Sequence, residues 1–142
     1  MLDDRELSEC SDCLCLASRR AARSITRAFD RKLRANGLRA TQFTILVMLT
    51  RAGPLSIGHL ADALGAERTT LTRNLALIEA NGWVRIRVGD DARLRVVGIT
   101  PKGRAAVAAA LPAWRAAQAA AAGAIGPSGV SALHALSRRF LV

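Results

Sequence analysis

The stretch Arg68-Thr69-Thr70-Leu71-Thr72-Arg73-Asn74 gathers six hydrogen-bonding side chains around a single leucine. Arginine and threonine can bond phosphate oxygens, arginine can read a guanine edge, asparagine an adenine edge, and threonine can touch a thymine methyl. Farther along, Asp91-Ala92-Arg93 lies between two alternating runs, where an arginine at a turn can enter a narrow, electronegative minor groove. Three cysteines, Cys10, Cys13 and Cys15, fall within six residues. Thiols so grouped can be oxidised or can capture a soft ion such as Zn(II), Hg(II) or As(III), or they can pack as small apolar side chains with no further role. His59 and His134 stand alone, without the HxxxH or HExxH spacing of a histidine metal site.

These residues need elements to hold them. Leu7, Cys10, Leu14, Ala17, Ala21, Ile25, Ala28 or Phe29, and Leu33 recur with helical spacing, which predicts one long amphipathic helix stopped by Asn36-Gly37. On such a helix Cys10 and Cys13 are neighbours, about 300° apart, while Cys15 points about 140° from Cys10. Three sulfurs then reach one metal only if the segment unwinds or a partner subunit supplies a thiol. Thr41 is expected to cap a second helix carrying Phe43, Ile45, Leu46, Met48 and Leu49 and ending at Gly53-Pro54. Ser56 caps a short third helix with Ile57, Leu60, Ala61 and Leu64, closed by Gly65.

The fourth helix, about Glu67 to Ala80, turns Leu71, Leu75 and Ile78 inward and the Arg/Thr set outward; Asn81-Gly82 ends it. The period then changes to two in Trp83–Val88 and Leu94–Val97 around Gly89-Asp90-Asp91, which predicts a β-hairpin with arginines at its tip and on one face. Thr100-Pro101 opens an alanine-rich helix. Pro112 should kink or break it, Gly123 to Pro127 should interrupt it again, and Ser128 to Leu141 should form a last amphipathic helix through Val130, Leu133, Leu136 and Phe140. Helix, short turn, helix and basic hairpin is the order of a winged helix-turn-helix. An Arg/Thr cluster alone is commonly a solvated helix face; this one follows a capped helix and precedes an arginine hairpin.

Composition narrows the function. The chain has 142 residues, 51% of them apolar, and a net charge of +10 from 21 basic and 11 acidic residues, so it suits one domain and a polyanionic partner. Only Lys32 and Lys102 are lysines, and arginine's planar donor fork suits phosphate and guanine. Residues 1–18 set Arg5 against Asp3, Asp4, Glu6, Glu9 and Asp12, so the start is an acidic leader, whereas residues 19–50 hold seven of the surplus positive charges. Three clustered cysteines are no disulfide framework. The apolar runs 105–111 and 116–125 fall short of the ~20 residues of a membrane span, and an acidic start does not resemble a signal peptide. A cytoplasmic location without membrane contact is expected. Hydrolase and transferase chemistry is disfavoured, since G-x-S-x-G, P-loop, GxGxxG and paired catalytic carboxylates are all missing. A nonspecific basic nucleic-acid binder remains the alternative from another class; equal affinity for scrambled duplexes would mark it.

The sequence resembles the MarR family of bacterial transcription regulators. The matching residues are Ser56-Ile57-Gly58-His59-Leu60-Ala61, Glu67-Arg68-Thr69-Thr70-Leu71-Thr72-Arg73-Asn74-Leu75, Asn81-Gly82-Trp83-Val84, and a D-x-R-x5-[LI]-T wing pattern in Asp91, Arg93, Ile99 and Thr100, with Pro101-Lys102-Gly103 beyond. The resemblance implies a mainly α fold with a small β-hairpin wing. The single domain 1–142 would divide into a winged helix-turn-helix lobe over about 40–100 and dimerisation helices over about 6–36 and 101–142. It further implies a homodimer on an inverted repeat of double-stranded DNA, with Arg68, Thr69, Thr70, Thr72, Arg73 and Asn74 in the major groove. Arg93 would enter the minor groove, its guanidinium paired with Asp91.

Most members repress by occupying a promoter until an effector shifts the dimer, and none of this needs a cofactor. The effector is either an oxidant or soft metal or metalloid ion at Cys10, Cys13 and Cys15, or a small aromatic or anionic ligand with the cysteines passive. For the latter, Arg23, Arg27 and Arg51 are candidate cationic lining. The hydroperoxide-sensing branch of the family carries its reactive cysteine 27 residues before a glutamine; counting back from Gln42 gives Cys15, although the tyrosines of that branch have no counterpart in a chain without tyrosine.

Overall fold

The computed structural model describes residues 1–140, Phe140 by its backbone alone. The elements run α1 (Asp4–Ser8), a 3₁₀ turn (Glu9–Asp12), α2 (Leu14–Leu33), a second 3₁₀ turn (Arg34–Asn36), α3 (Ala40–Ala52), β1 (Leu55–Ser56), α4 (Ile57–Leu64), α5 (Arg68–Ala80), β2 (Val84–Val88), β3 (Arg95–Ile99) and α6 (Pro101–Phe140). The fold is mostly helical with one small antiparallel sheet, the architecture of a winged helix.

The core follows from α3, whose Phe43, Ile45, Leu46 and Leu49 are all buried. Leu60 and Ala61 of α4, Leu71, Leu75 and Ile78 of α5, and Val84 and Val97 of the sheet close around it, with Leu33, Leu38 and Ala110 at the end nearest α2 and α6. Ser56 Oγ accepts the His59 N–H at 3.1 Å and so caps α4, which Gly65 ends in the left-handed conformation at φ 61°. Thr100 Oγ1 accepts the Gly103 N–H at 3.0 Å at the start of α6. These caps agree with the sequence reading.

Three local expectations do not hold, and the predicted hairpin gains a third strand. The first helix is not continuous: Cys13 is extended, at φ −62° and ψ 117°, between the first 3₁₀ turn and α2. Ser8 Oγ donates to the Arg5 carbonyl and Ser11 Oγ to the Ser8 carbonyl, each at 2.7 Å, so side chains compete with the helical ladder where no buried residue holds it. Thr41 does not cap α3. It lies within the helix, and the N-terminus is satisfied by Asp30 Oδ1, which accepts the Ala40 N–H at 2.8 Å, and by Gln42 Oε1, which accepts the Arg39 N–H at 3.1 Å.

The hairpin is part of a three-stranded sheet of order β1-β3-β2, because Leu55 and Ser56 pair with Val97 and Val96. Finally, α6 runs through Pro112 without the expected break, whereas the interruption expected at Gly123 to Pro127 is present: the backbone departs from helical geometry at Gly126 (φ 75°, ψ 168°), immediately before Pro127. Ala110 and Ala117, both fully packed, flank Pro112, and that packing offsets the lost Ala108 acceptor bond. The expected roles of the Phe140 side chain and of Leu141 lie outside the described residues.

Candidate nucleic-acid interface

The reading helix is seated by three side chains: Leu71, Leu75 and Ile78 are at most 2% exposed and pack on α3, α4 and the sheet. With that stripe fixed inward, the helical period turns Arg68, Thr69, Thr70, Thr72 and Arg73 out to solvent, with Asn74 half-buried beside them. The N-cap residue Glu67 makes no side-chain capping bond, so the first N–H groups of α5 are free to meet a phosphate oxygen. Arg68 differs from its neighbours. Its guanidinium folds back against Gly58 in the first turn of α4, in space that any Cβ at position 58 would occupy. It thereby bridges the two helices of the turn.

The wing is built by register. Val84, Arg85, Ile86, Arg87 and Val88 pair with Ile99, Gly98, Val97, Val96 and Arg95, which puts Val84 and Val97 in the core and leaves Arg85 and Arg87 exposed. At the tip, the Gly89 N–H donates to the Leu94 carbonyl and the Leu94 N–H to the Asp91 carbonyl, both at 2.9 Å. Asp91 Oδ1 accepts the Arg93 backbone N–H at 3.0 Å. The aspartate thus orders the turn through the main chain, and the exposed Arg93 side chain projects from an ordered loop. Arg95, which the sequence reading did not single out, donates from Nη1 to the Ala92 carbonyl at 3.0 Å and braces the same loop.

Two further contacts fix wing against helix, and neither is visible in a short sequence window. Glu79 Oε2, near the end of α5, accepts the Ile86 N–H of β2 at 2.8 Å. Since β2 is an edge strand, this satisfies an otherwise unpaired donor and links α5 to the wing. At the base of the wing, Thr100 Oγ1 donates to the Gly82 carbonyl at 2.6 Å and the Thr100 N–H to the Trp83 carbonyl at 3.0 Å. Gly103 is buried against that same Trp83 carbonyl, where a Cβ would collide. The motifs around Gly82-Trp83 and Thr100–Gly103, separate in sequence, are one clasp.

The cysteines lie far from this clasp in the chain. Cys10 is in the first 3₁₀ turn, Cys13 at the extended break and Cys15 in the first turn of α2, and all three thiols are free and exposed. No group of three or more His, Cys, Asp or Glu side chains suited to a metal ion occurs among the described residues, so the break does not gather the three thiols within one chain. Of the expected cationic lining, Arg27 borders a groove with Arg31, Arg34 and Arg39, Arg23 borders a shallow hollow with Ala22 and Thr26, and Arg51 borders neither. No helix among the described residues is long and apolar enough to cross a membrane.

Comparison with known proteins agrees with this architecture. The family model for the MarR family matches residues 36–94, which contain α3 to the wing tip. An uncharacterised HTH-type transcriptional regulator, YwoH of Bacillus subtilis, is 34% identical over 80 residues, a match covering 56% of this chain and 58% of that protein. The M. tuberculosis transcriptional regulator MosR, solved in complex with DNA, is 40% identical with a TM-score of 0.79, covering 90% of this chain and 96% of that one. A probable transcriptional regulator from Pseudomonas aeruginosa is 25% identical with a TM-score of 0.77, covering 91% and 97%. With a seated helix of exposed arginine and threonine, a braced arginine wing and likeness over nearly its whole length to a regulator solved on DNA, the chain belongs to the MarR family and is a DNA-binding transcriptional regulator.

Proposed function

We propose that the protein is a homodimeric repressor that occupies an inverted repeat and leaves it when an effector alters the dimer. The observation that carries this reading is the shared scaffold of the two DNA-facing elements, α5 and the wing, joined by the Glu79–Ile86 bond. One α5 and one wing per subunit would meet half-sites about 10 bp apart. Thr69, Thr70, Thr72, Arg73 and Asn74 face the major groove, Arg68 contacts phosphate at the α4–α5 turn, and Arg93, on a loop ordered by Asp91, enters the minor groove.

Exposed apolar residues at both ends of the chain support dimerisation: Leu7, Leu14 and Leu16 on one side, and Ile125, Leu133 and Leu136 on the other. Fluorescence anisotropy on a duplex from the protein's own promoter, against a scrambled control at fixed salt, tests the reading. Specific binding should exceed nonspecific binding by about 10³ or more. Arg93→Ala should weaken specific binding by more than about threefold, the loss of one charged groove contact. A smaller change would remove Arg93 from the interface.

For the signal, the exposure of all three thiols favours Cys10, Cys13 and Cys15 as the point of entry. A thiolate attacks a hydroperoxide to give a sulfenic acid and an alcohol; a second thiol then displaces water to form a disulfide. A soft metal or metalloid ion would require thiols from both subunits, since one chain does not gather three. Release by hydroperoxide or arsenite, reversed by reductant or chelator and lost when all three cysteines are replaced by serine, is the expected outcome. Specific binding indifferent to both treatments would make the cysteines passive and leave a small aromatic or anionic ligand as effector.

A further inference from the structure

The surplus of seven positive charges over residues 19–50 lies outside α5 and the wing. Arg27 and Arg31 on α2 and Arg34 in the 3₁₀ turn that follows it line a groove of about 660 Å³, which Arg39 also lines from beyond the α2–α3 elbow. The elbow is built rather than slack. Gly37 turns it in the left-handed conformation at φ 71°, Leu38 is buried, and Asp30 and Gln42 close the start of α3 from opposite directions.

Those two bonds decide the chemistry the groove offers. Asp30 is the one carboxylate on its wall, and its Oδ1 is committed to the Ala40 N–H. Gln42 is 6% exposed and commits its oxygen to the Arg39 N–H. The other end of the Gln42 amide is an N–H₂ donor, and the residue lines the groove. With four arginines and Gln42 on its lining against one carboxylate, the groove mainly offers hydrogen-bond donors, matched by a tetrahedral anion with several acceptor oxygens. The volume lies within the range of small-ligand sites.

We infer that the groove between α2 and α3 binds a phosphate group, held by Arg27, Arg31, Arg34 and Arg39 with the Gln42 amide at its floor. The phosphate comes either from a free phosphorylated small molecule or from the backbone of DNA flanking the half-site. Two measurements on the full-length protein separate the sources. Without DNA, thermal unfolding and calorimetric titration with sodium pyrophosphate, against sodium chloride at equal ionic strength, read free phosphate. With DNA, the salt dependence of binding is compared on a duplex trimmed to the half-sites and on one extended by flanking sequence.

The test variant is Arg31→Gln with Arg34→Gln, both exposed; the charge-matched control is Arg104→Gln with Arg115→Gln, outside the groove. A free ligand is supported by saturable pyrophosphate binding at roughly millimolar concentration or below that the test variant weakens by about tenfold or more and the control leaves intact. A flanking backbone is supported if the test variant lowers the slope of log K against log salt by about 2 on the extended duplex only. Equal losses in test and control variants, or no effect in either measurement, overturn the inference. The pyrophosphate measurement contains no DNA, so its failure is separate from any failure of operator recognition.

Discussion

The DNA-reading lobe and the helical arms of this chain satisfy their apolar residues differently. Of the largest side chains that are completely buried, Leu33 alone lies outside the segment from Ile45 to Val97. The arms instead leave Leu7, Leu14, Ile125, Leu133 and Leu136 in solvent, with Leu14 85% exposed. A lobe that closes its own core holds α5 in a fixed place, while the arms leave apolar positions open to solvent in the single chain. In the proposed dimer, the position of α5 and the spacing between two such helices would therefore be set by separate parts of the molecule. On that proposal an effector acting on the arms would change the second without unfolding the first.

This contrast can be broken most severely from inside the lobe. Leu75 is fully buried beneath α5, and Leu75→Ala should cost about 2–5 kcal/mol in urea denaturation, with DNA binding lost as the lobe melts. A cost near zero would mean that the lobe does not close on itself. Gly103→Ala is next: its methyl must displace the Trp83 carbonyl or the Ile99 side chain, an overpacking cost of about 1–3 kcal/mol. Because the clasp carries the wing, this variant should also lose affinity, measured by anisotropy at a temperature where it remains folded.

The smallest stability change is expected in the arms. Leu133→Glu, at a residue 44% exposed, should alter the unfolding free energy of dilute monomer by no more than about 0.5 kcal/mol. Sedimentation should nonetheless show a shift towards monomer. Strong destabilisation of the monomer would erase the distinction between lobe and arms.

Much of the lobe was legible because its signals are short-ranged. Ser56 and Gly65 bracket α4, Leu71, Leu75 and Ile78 repeat on one face of α5, and the alternation after Trp83 marks the wing strands. The arms were misread because their determinants are not periodic. Leu7, Cys10 and Leu14 keep helical spacing, yet all three are exposed among the described residues, and Ser8 and Ser11 bond locally instead. Pro112 is a helix breaker by its covalent structure, but Ala110 and Ala117 pack to either side and the helix continues.

The amino-acid sequence by itself determined the order of the helices and strands, the caps on α4 and α6, the side chains that face away from the core on α5 and the arginine at the wing tip. Hydrogen bonds and apolar repeats within a few residues are enough to decide these. Only the tertiary structure decided that Asp30 closes the start of α3 from ten residues away, that Glu79 ties α5 to the wing, that Arg68 folds over Gly58 and that Arg39 joins the arginines of α2 around one groove. Each of these is a meeting of groups on different elements. It exists only because burial of the α3-centred core brings those elements together, and no local pattern of residue types encodes the distance between them.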